Sequence, residues 1–395
     1  MKKSGPGMLI AAAFIGPGTV ATCLGAGVSF GYSLLWALLL SIIITIVLQE
    51  ISGRIGLTST RPIPAILESM IPGKYAGKAL IGLILLAIVL GNSAYEAGNI
   101  AGGTLGLEAL FGSGAVAYYP FIVILLAGII LWMGSYKLLE RIFTALVLIM
   151  SMSFILTALL VRPDLSALFA GLFYPKVTGD TIMTVMALIG TTVVPYNLFL
   201  YPALVRQRWE GAGNLSAMRR DIIGSVLIGG IVSMAILVTG AGTGMQQMES
   251  VLDMAKSLSP IYGTAATVAI GVGLLAAGLT SSITAPLAAA YVIQQSFGWA
   301  PDNRSWKFRL AWGGVLLIGL LSLTLNIRPL EVIFLAQVAN ALLLPLVAFL
   351  FWRMASDKQL LGEFRSSRTG VIAGLIIVIL VGLLALRTLY RIFVS

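Results

Sequence analysis

Two short stretches of this chain combine backbone-breaking residues with hydroxyl and amide side chains. The first reads Gly16-Pro17-Gly18-Thr19, and the second Gly190-Thr191-Thr192-Val193-Val194-Pro195-Tyr196-Asn197. Proline removes a backbone donor and clashes with the preceding turn, and glycine lowers the cost of irregular geometry. Each break therefore frees backbone groups, beside which Thr19, Thr191, Thr192, Tyr196 and Asn197 supply neutral hydrogen-bonding atoms. The chemistry on offer is recognition: N–H groups near Gly18 and Thr19 suit a carboxylate, and freed carbonyls suit a cation. A third stretch, Asn92-Ser93-Ala94-Tyr95-Glu96-Ala97-Gly98-Asn99, sets an acid inside an apolar run. The chain has no histidine and one cysteine, Cys23, so neither a Ser-His pair, a His-bound metal nor an intrachain disulfide is available. An enzyme is not expected.

The elements that carry these stretches follow from composition. Of 395 residues, 58% are hydrophobic and 10% charged, where a soluble domain has about a quarter charged. Lipid must be the solvent for most of the surface. Apolar runs long enough for about 20 residues of membrane helix recur at 8–29, 32–56, 77–100, 117–134, 139–161, 182–204, 221–244, 261–282, 308–326, 331–352 and 369–390. The run 283–297 is also apolar and extends the eighth span. The first run is followed at once by another, so it reads as a span and not as a cleaved leader.

Charge tests this count. With the N-terminus in the cytoplasm, 19 of the 25 Lys and Arg fall on cytoplasmic segments and 6 on outer ones, as the positive-inside bias requires. Eleven spans then put the C-terminus outside. The net charge of +10 is an orientation signal in a cell-membrane protein and not a nucleic-acid footprint. The expected partners are the lipid bilayer and a small solute or ion.

The two breaks lie in spans one and six, five spans apart. A simple proline kink explains either alone; the pair implies two inverted five-helix repeats, about 8–161 and 182–352, with an extra helix at about 369–390. The fold class is all-α integral membrane. Glu96 lies well inside the third span, where an ionisable group is costly and faces the protein interior or a water path. It is either a proton relay or a neutral structural glutamate. Glu50, one turn from Arg54, reads as a structural ion pair.

Longer stretches now resemble one family. Phe30-Gly31-Tyr32-Ser33-Leu34-Leu35-Trp36 with Gln49-Glu50-Ile51-Ser52-Gly53-Arg54-Ile55-Gly56, then Pro195-Tyr196-Asn197-Leu198-Phe199-Leu200-Tyr201, Gly278-Leu279-Thr280-Ser281-Ser282-Ile283-Thr284 and Gly362-Glu363-Phe364 are similar to signatures of the Nramp family of proton-coupled metal transporters. The resemblance covers most of the chain and implies the LeuT-type fold. It also implies that Gln337 is the site-facing glutamine of the tenth helix, that Glu96 holds the position of the proton-pathway aspartate, and that Asn99 replaces a glutamate one turn later. At the implied metal site the usual aspartate is Gly16, the usual asparagine is Thr19, the thioether ligand is Val194, and two histidines are Tyr196 and Tyr201.

A divalent ion leaving water normally needs fixed carboxylates to offset lost hydration. The expected site of Gly16, Gly18, Thr19, Thr191, Thr192, Val194, Tyr196, Asn197 and Gln337, framed by Pro17 and Pro195, carries no formal charge. It therefore points to a small organic solute with a carboxylate, such as an amino acid, with a divalent metal cation (Mn, Fe or Mg) as the alternative and a sensor or scaffold as a third class. Bland roles stand beside each: Thr191 and Thr192 back-bonding to carbonyls, Tyr196 and Tyr201 packing, Gln337 bridging helices. No cofactor is expected. Coupling lies among proton, through Glu96; sodium, through Thr280-Ser281-Ser282, which also fits helix packing; and none.

Overall fold

A computed structural model describes residues 5–7, 15–59, 61–70, 74–134, 137–209, 211–300, 302–325 and 327–394. The long apolar runs in it are helices, because hydrocarbon leaves a backbone polar group no partner but another backbone group. In chain order the principal helices are α1 (Pro17–Phe30), α2 (Leu35–Thr58), α3 (Lys74–Phe111), α4 (Tyr119–Met133), α5 (Lys137–Leu160), α6 (Ile182–Thr192), α7 (Pro195–Arg208), α8 (Leu215–Ala241), α9 (Ala266–Ser296), α10 (Trp306–Ser322), α11 (Pro329–Ser356) and α12 (Arg368–Val394). Among the described residues, eight helical segments are long and apolar enough to cross a membrane, with α6 and α7 counted as one. Helices α1, α5 and α10 supply the remaining three of the eleven expected spans. The protein is a multi-pass membrane protein.

Both breaks are present, and both prolines stand at the first position of a helix, where a missing N–H costs nothing. Gly16 is extended (φ −103°, ψ −174°) and α1 starts at Pro17; the expected first half of this span, residues 8–14, lies outside the described residues. In the sixth span α6 stops at Thr192, Val193 (φ −93°, ψ 81°) and Val194 (φ −87°, ψ 113°) leave helical geometry, and α7 starts at Pro195. That is an interruption and not a kink.

The third span runs further than expected, to Phe111, and the eighth continues through its apolar extension to Ser296. Glycines in these two helices are packing contacts. A methyl group at Gly278 of α9 would lie 2.6 Å from the Gly103 nitrogen of α3, and one at Gly106 would lie 2.5 Å from the Leu275 nitrogen. Small residues let membrane helices approach backbone to backbone.

The broken sixth span sits at the centre of the bundle. A cavity of about 420 Å³ between α1, α6 and α11 is lined by Thr22, Ser29, Thr184, Met248 and Glu331 and reaches the surface at the exposed Ser29. The opposite face is tied shut. There the Gly7 N–H donates to Asp221 of α8 at 2.7 Å. Glu50 pairs with Arg54 at 3.0 Å and with Arg219 at 2.7 Å. Arg54 also donates to the Phe364 carbonyl and to Ser366, so this pair is a structural clasp between α2, α8 and the segment before α12.

Candidate functional site

The residues around the α1 break come from five helices. Thr19 and Thr191 share a 2.8 Å hydrogen bond between their hydroxyls, joining α1 to α6. Thr22, one turn on from Thr19, lines the cavity, so this bond spans α1 and α6 just beyond its inner end. Thr191 is thus a cross-helix partner, whereas Thr192 donates to the Leu188 carbonyl one turn back. The amide of Gln337 on α11 packs against Gly18, where even a methyl group would run into it. A methyl group at Gly16 would stand 3.0 Å from Ser281 Oγ of α9 and 3.9 Å from the Tyr95 hydroxyl of α3. No sequence signal marks Tyr95 or Ser281 as neighbours of Gly16, because they lie 79 and 265 residues away from it.

On the α7 side, Val194 is buried among apolar side chains. Tyr196 meets Tyr95 edge to face, with ring centroids 5.7 Å apart. Tyr201 lies away from the break, its ring against Gly53 of α2. Asn197 is buried at 1% exposure. Glu96, next to Tyr95, is fully buried and points toward α10, where Gly319 makes room for it. Asn99 donates to Glu96 Oε2 at 3.1 Å. Asn99 therefore orients the acid; an amide carries no exchangeable charge of its own.

The unmatched atoms say what this arrangement accommodates. Gln337 Oε1, Asn197 Oδ1 and the hydroxyls of Tyr95 and Tyr196 are buried without a hydrogen-bond partner, while Glu96 and Ser282 face each other. Each such atom costs about 1–3 kcal/mol unless something satisfies it. The last carbonyls of α6 also end at the break, where the negative end of its dipole favours a cation. Among the described residues no group of three or more His, Cys, Asp or Glu stands together. A cation here would meet neutral oxygens, the Glu96 side chain being packed against α10 instead.

Comparison with known proteins gives this geometry a family. The sequence model described as Natural resistance-associated macrophage protein-like (Nramp) matches residues 7–391. The chain is 30% identical to the Pseudomonas aeruginosa protein named divalent metal cation transporter MntH 1, over 92% of this chain and 85% of that one. It is 27% identical to the Caldanaerobacter subterraneus divalent metal cation transporter MntH, over 98% of this chain and 94% of the relative. Among solved structures, the Eremococcus coleocola manganese transporter in complex with an aromatic bis-isothiourea substituted compound superposes with a TM-score of 0.80 at 19% identity, covering 97% of this chain and 85% of that one. MhsT in complex with L-phenylalanine superposes at 0.62 and 17% identity, over 97% of this chain and 99% of that one, and so shares the fold alone.

These findings overturn the expected organic carboxylate. The full-length relatives are named for divalent metal cations, and the site agrees with them on two counts. A methyl group at Gly16 would already stand 3.0 Å from Ser281 Oγ, which leaves little room for an organic group there, and Gly18 is packed under Gln337. The unmatched groups are amide oxygens and tyrosine hydroxyls, a set with no cationic side chain in it to hold an anion. With a LeuT-type bundle, both helix breaks in place and a family match from residue 7 to residue 391, the chain belongs to the Nramp family.

Proposed function

We propose that this protein carries a divalent metal cation across the membrane. The observation that carries this reading is the alignment of nearly the whole chain with divalent metal cation transporters. The buried, unmatched oxygens of Tyr95, beside Gly16, and of Gln337, against Gly18, support it. The cation enters through the cavity between α1, α6 and α11, passes the Thr19–Thr191 bond, and is held by Gln337, Asn197 and the carbonyls at the break. Gly16 and Gly18 keep the backbone approachable, Pro17 and Pro195 fix the two interruptions, and Val194 and Tyr196 wall the site. An oxygen-only donor set suits hard ions that keep part of their water, such as Mg²⁺ or Mn²⁺, better than thiophilic ones.

Glu96 is the proton carrier in this reading, since it is a fully buried carboxyl group held by two neutral partners, Asn99 and Ser282. Of the eighth-span hydroxyls, that of Thr280 is used within its own helix, where it donates to the Ala276 carbonyl. Transport alternates between the two faces, by movement of repeats at about 8–161 and 182–352 around the breaks, with the N-terminus cytoplasmic and the C-terminus outside.

Uptake of Mn²⁺ and Mg²⁺ into proteoliposomes, with and without an inward proton gradient, tests this. The expected result is saturable uptake of at least one ion, faster under the gradient, and loss of the gradient's effect in Glu96→Gln. No uptake of either ion above protein-free liposomes rejects the function. An undiminished gradient effect in Glu96→Gln rejects the relay alone.

A further inference from the structure

We infer that Tyr95 is a ligand of the transported cation, its hydroxyl completing from α3 an oxygen shell that the two interrupted helices leave incomplete. The inference deepens the cation reading and rests on it. Three consecutive turns of α3 are turned to the broken span. Tyr95 stands against Gly16, Gly98 against Gln337 and Ala336, and Gly102 against Pro17. Their spacing of three and four residues places them on one helix face. Two of the three are glycines, which draw the helix in, and the third brings the polar tip to the place where the chain leaves helical geometry.

The tyrosine is held as a ligand would be. Its ring is 1% exposed and locked edge-on against Tyr196, with planes 71° apart. Its hydroxyl has no partner, and both it and Ser281 Oγ lie within 4 Å of where a side chain on Gly16 would begin. Phenylalanine would fill this space equally well and avoid the cost of an unmatched buried hydroxyl, about 1–3 kcal/mol. Tyr201 has such a hydroxyl too, away from the break; what sets Tyr95 apart is the place of its oxygen beside Gly16. A phenol oxygen binds a hard cation through a lone pair and keeps its proton, so no bond breaks and no charge changes. The next residue takes the other task. Glu96 is turned about 100° around the helix from Tyr95 and packs against Gly319 of α10. Adjacent residues of α3 thus separate cation contact from proton carriage.

Calorimetric titration of Mn²⁺ and Mg²⁺ into the purified full-length protein tests the assignment. Outer-shell partners of metal ligands are worth about 10–100-fold in affinity, so removing a ligand should cost at least about tenfold. Tyr95→Phe is expected to weaken binding by that much while the metal-free melting temperature stays level or rises. The control is Tyr201→Phe, which removes another buried, unmatched hydroxyl on the ring that packs against Gly53; it should bind as the wild type does. Binding by Tyr95→Phe within twofold of wild type overturns the assignment and leaves the cation reading standing. An equal loss in Tyr201→Phe also overturns it, since the effect is then not local. If the wild type binds neither ion, the cation reading and the role of Tyr95 fail together.

Discussion

The sixth span, Ile182–Arg208, and the last, Arg368–Val394, are both 27 residues long and apolar enough to cross a bilayer. In its most apolar stretch the sixth is 89% buried in protein, and the last 22%. The sixth is broken at Val193 and Val194 and carries Thr191, Thr192, Asn197 and two prolines; the last runs unbroken with a far more apolar surface. Lipid supplies no hydrogen bonds, so an interruption survives only where protein surrounds it. Burial inside the bundle is therefore a precondition for the chemistry of the break.

Glycine substitutions break the comparison most directly. Gly190 of α6 faces the backbone of α11, with the Gln337 carbonyl and the Ala341 nitrogen in the path of any side chain. Gly190→Ala forces two backbones apart, and overpacking of this kind costs about 1–3 kcal/mol or more. Thermal unfolding in detergent should show the largest loss of the set, accompanied by loss of transport. Thr191→Val is the next in size. It keeps the shape but removes the bond to Thr19, a loss of about 0.5–1.5 kcal/mol that the same melting curves resolve. Gly382 of α12 has nothing within 4 Å of where a side chain would begin. Gly382→Ala should leave transport unchanged and raise stability by up to about 0.5–1 kcal/mol through helix propensity. A destabilised Gly382→Ala would mean that α12 faces a partner surface instead of lipid.

The same contrast explains how much could be read from the sequence. The spans were legible because hydropathy is a property of consecutive residues, and Pro17 and Pro195 announce the breaks by chemistry that acts within one turn. The outer bound of α3 was not, since beyond residue 100 its glycines Gly103 and Gly106 are explained only by the elements that pack on them. The site was half legible. Thr19, Thr191 and Gln337 were named but their pairing was not, and Tyr95 and Ser281 enter only because α3 and α9 pack against Gly16. The cargo was misread for a related reason. Counting charges at the break treats a residue as if it bound alone, whereas neighbours on three other helices supply the oxygens and fill the space assumed to be empty.

The bond between Gly7 and Asp221 acts as a bolt thrown across one door of the molecule. It grips main chain, and Gly5 and Gly7 carry no side chain that would collide with the carboxylate. A charge-assisted hydrogen bond contributes about 1.5–3 kcal/mol, a bias of roughly ten- to hundredfold toward closure. Such a bolt holds a resting preference without demanding fuel to draw it. A cargo that binds a few kcal/mol more tightly once the door swings is enough to reverse the balance.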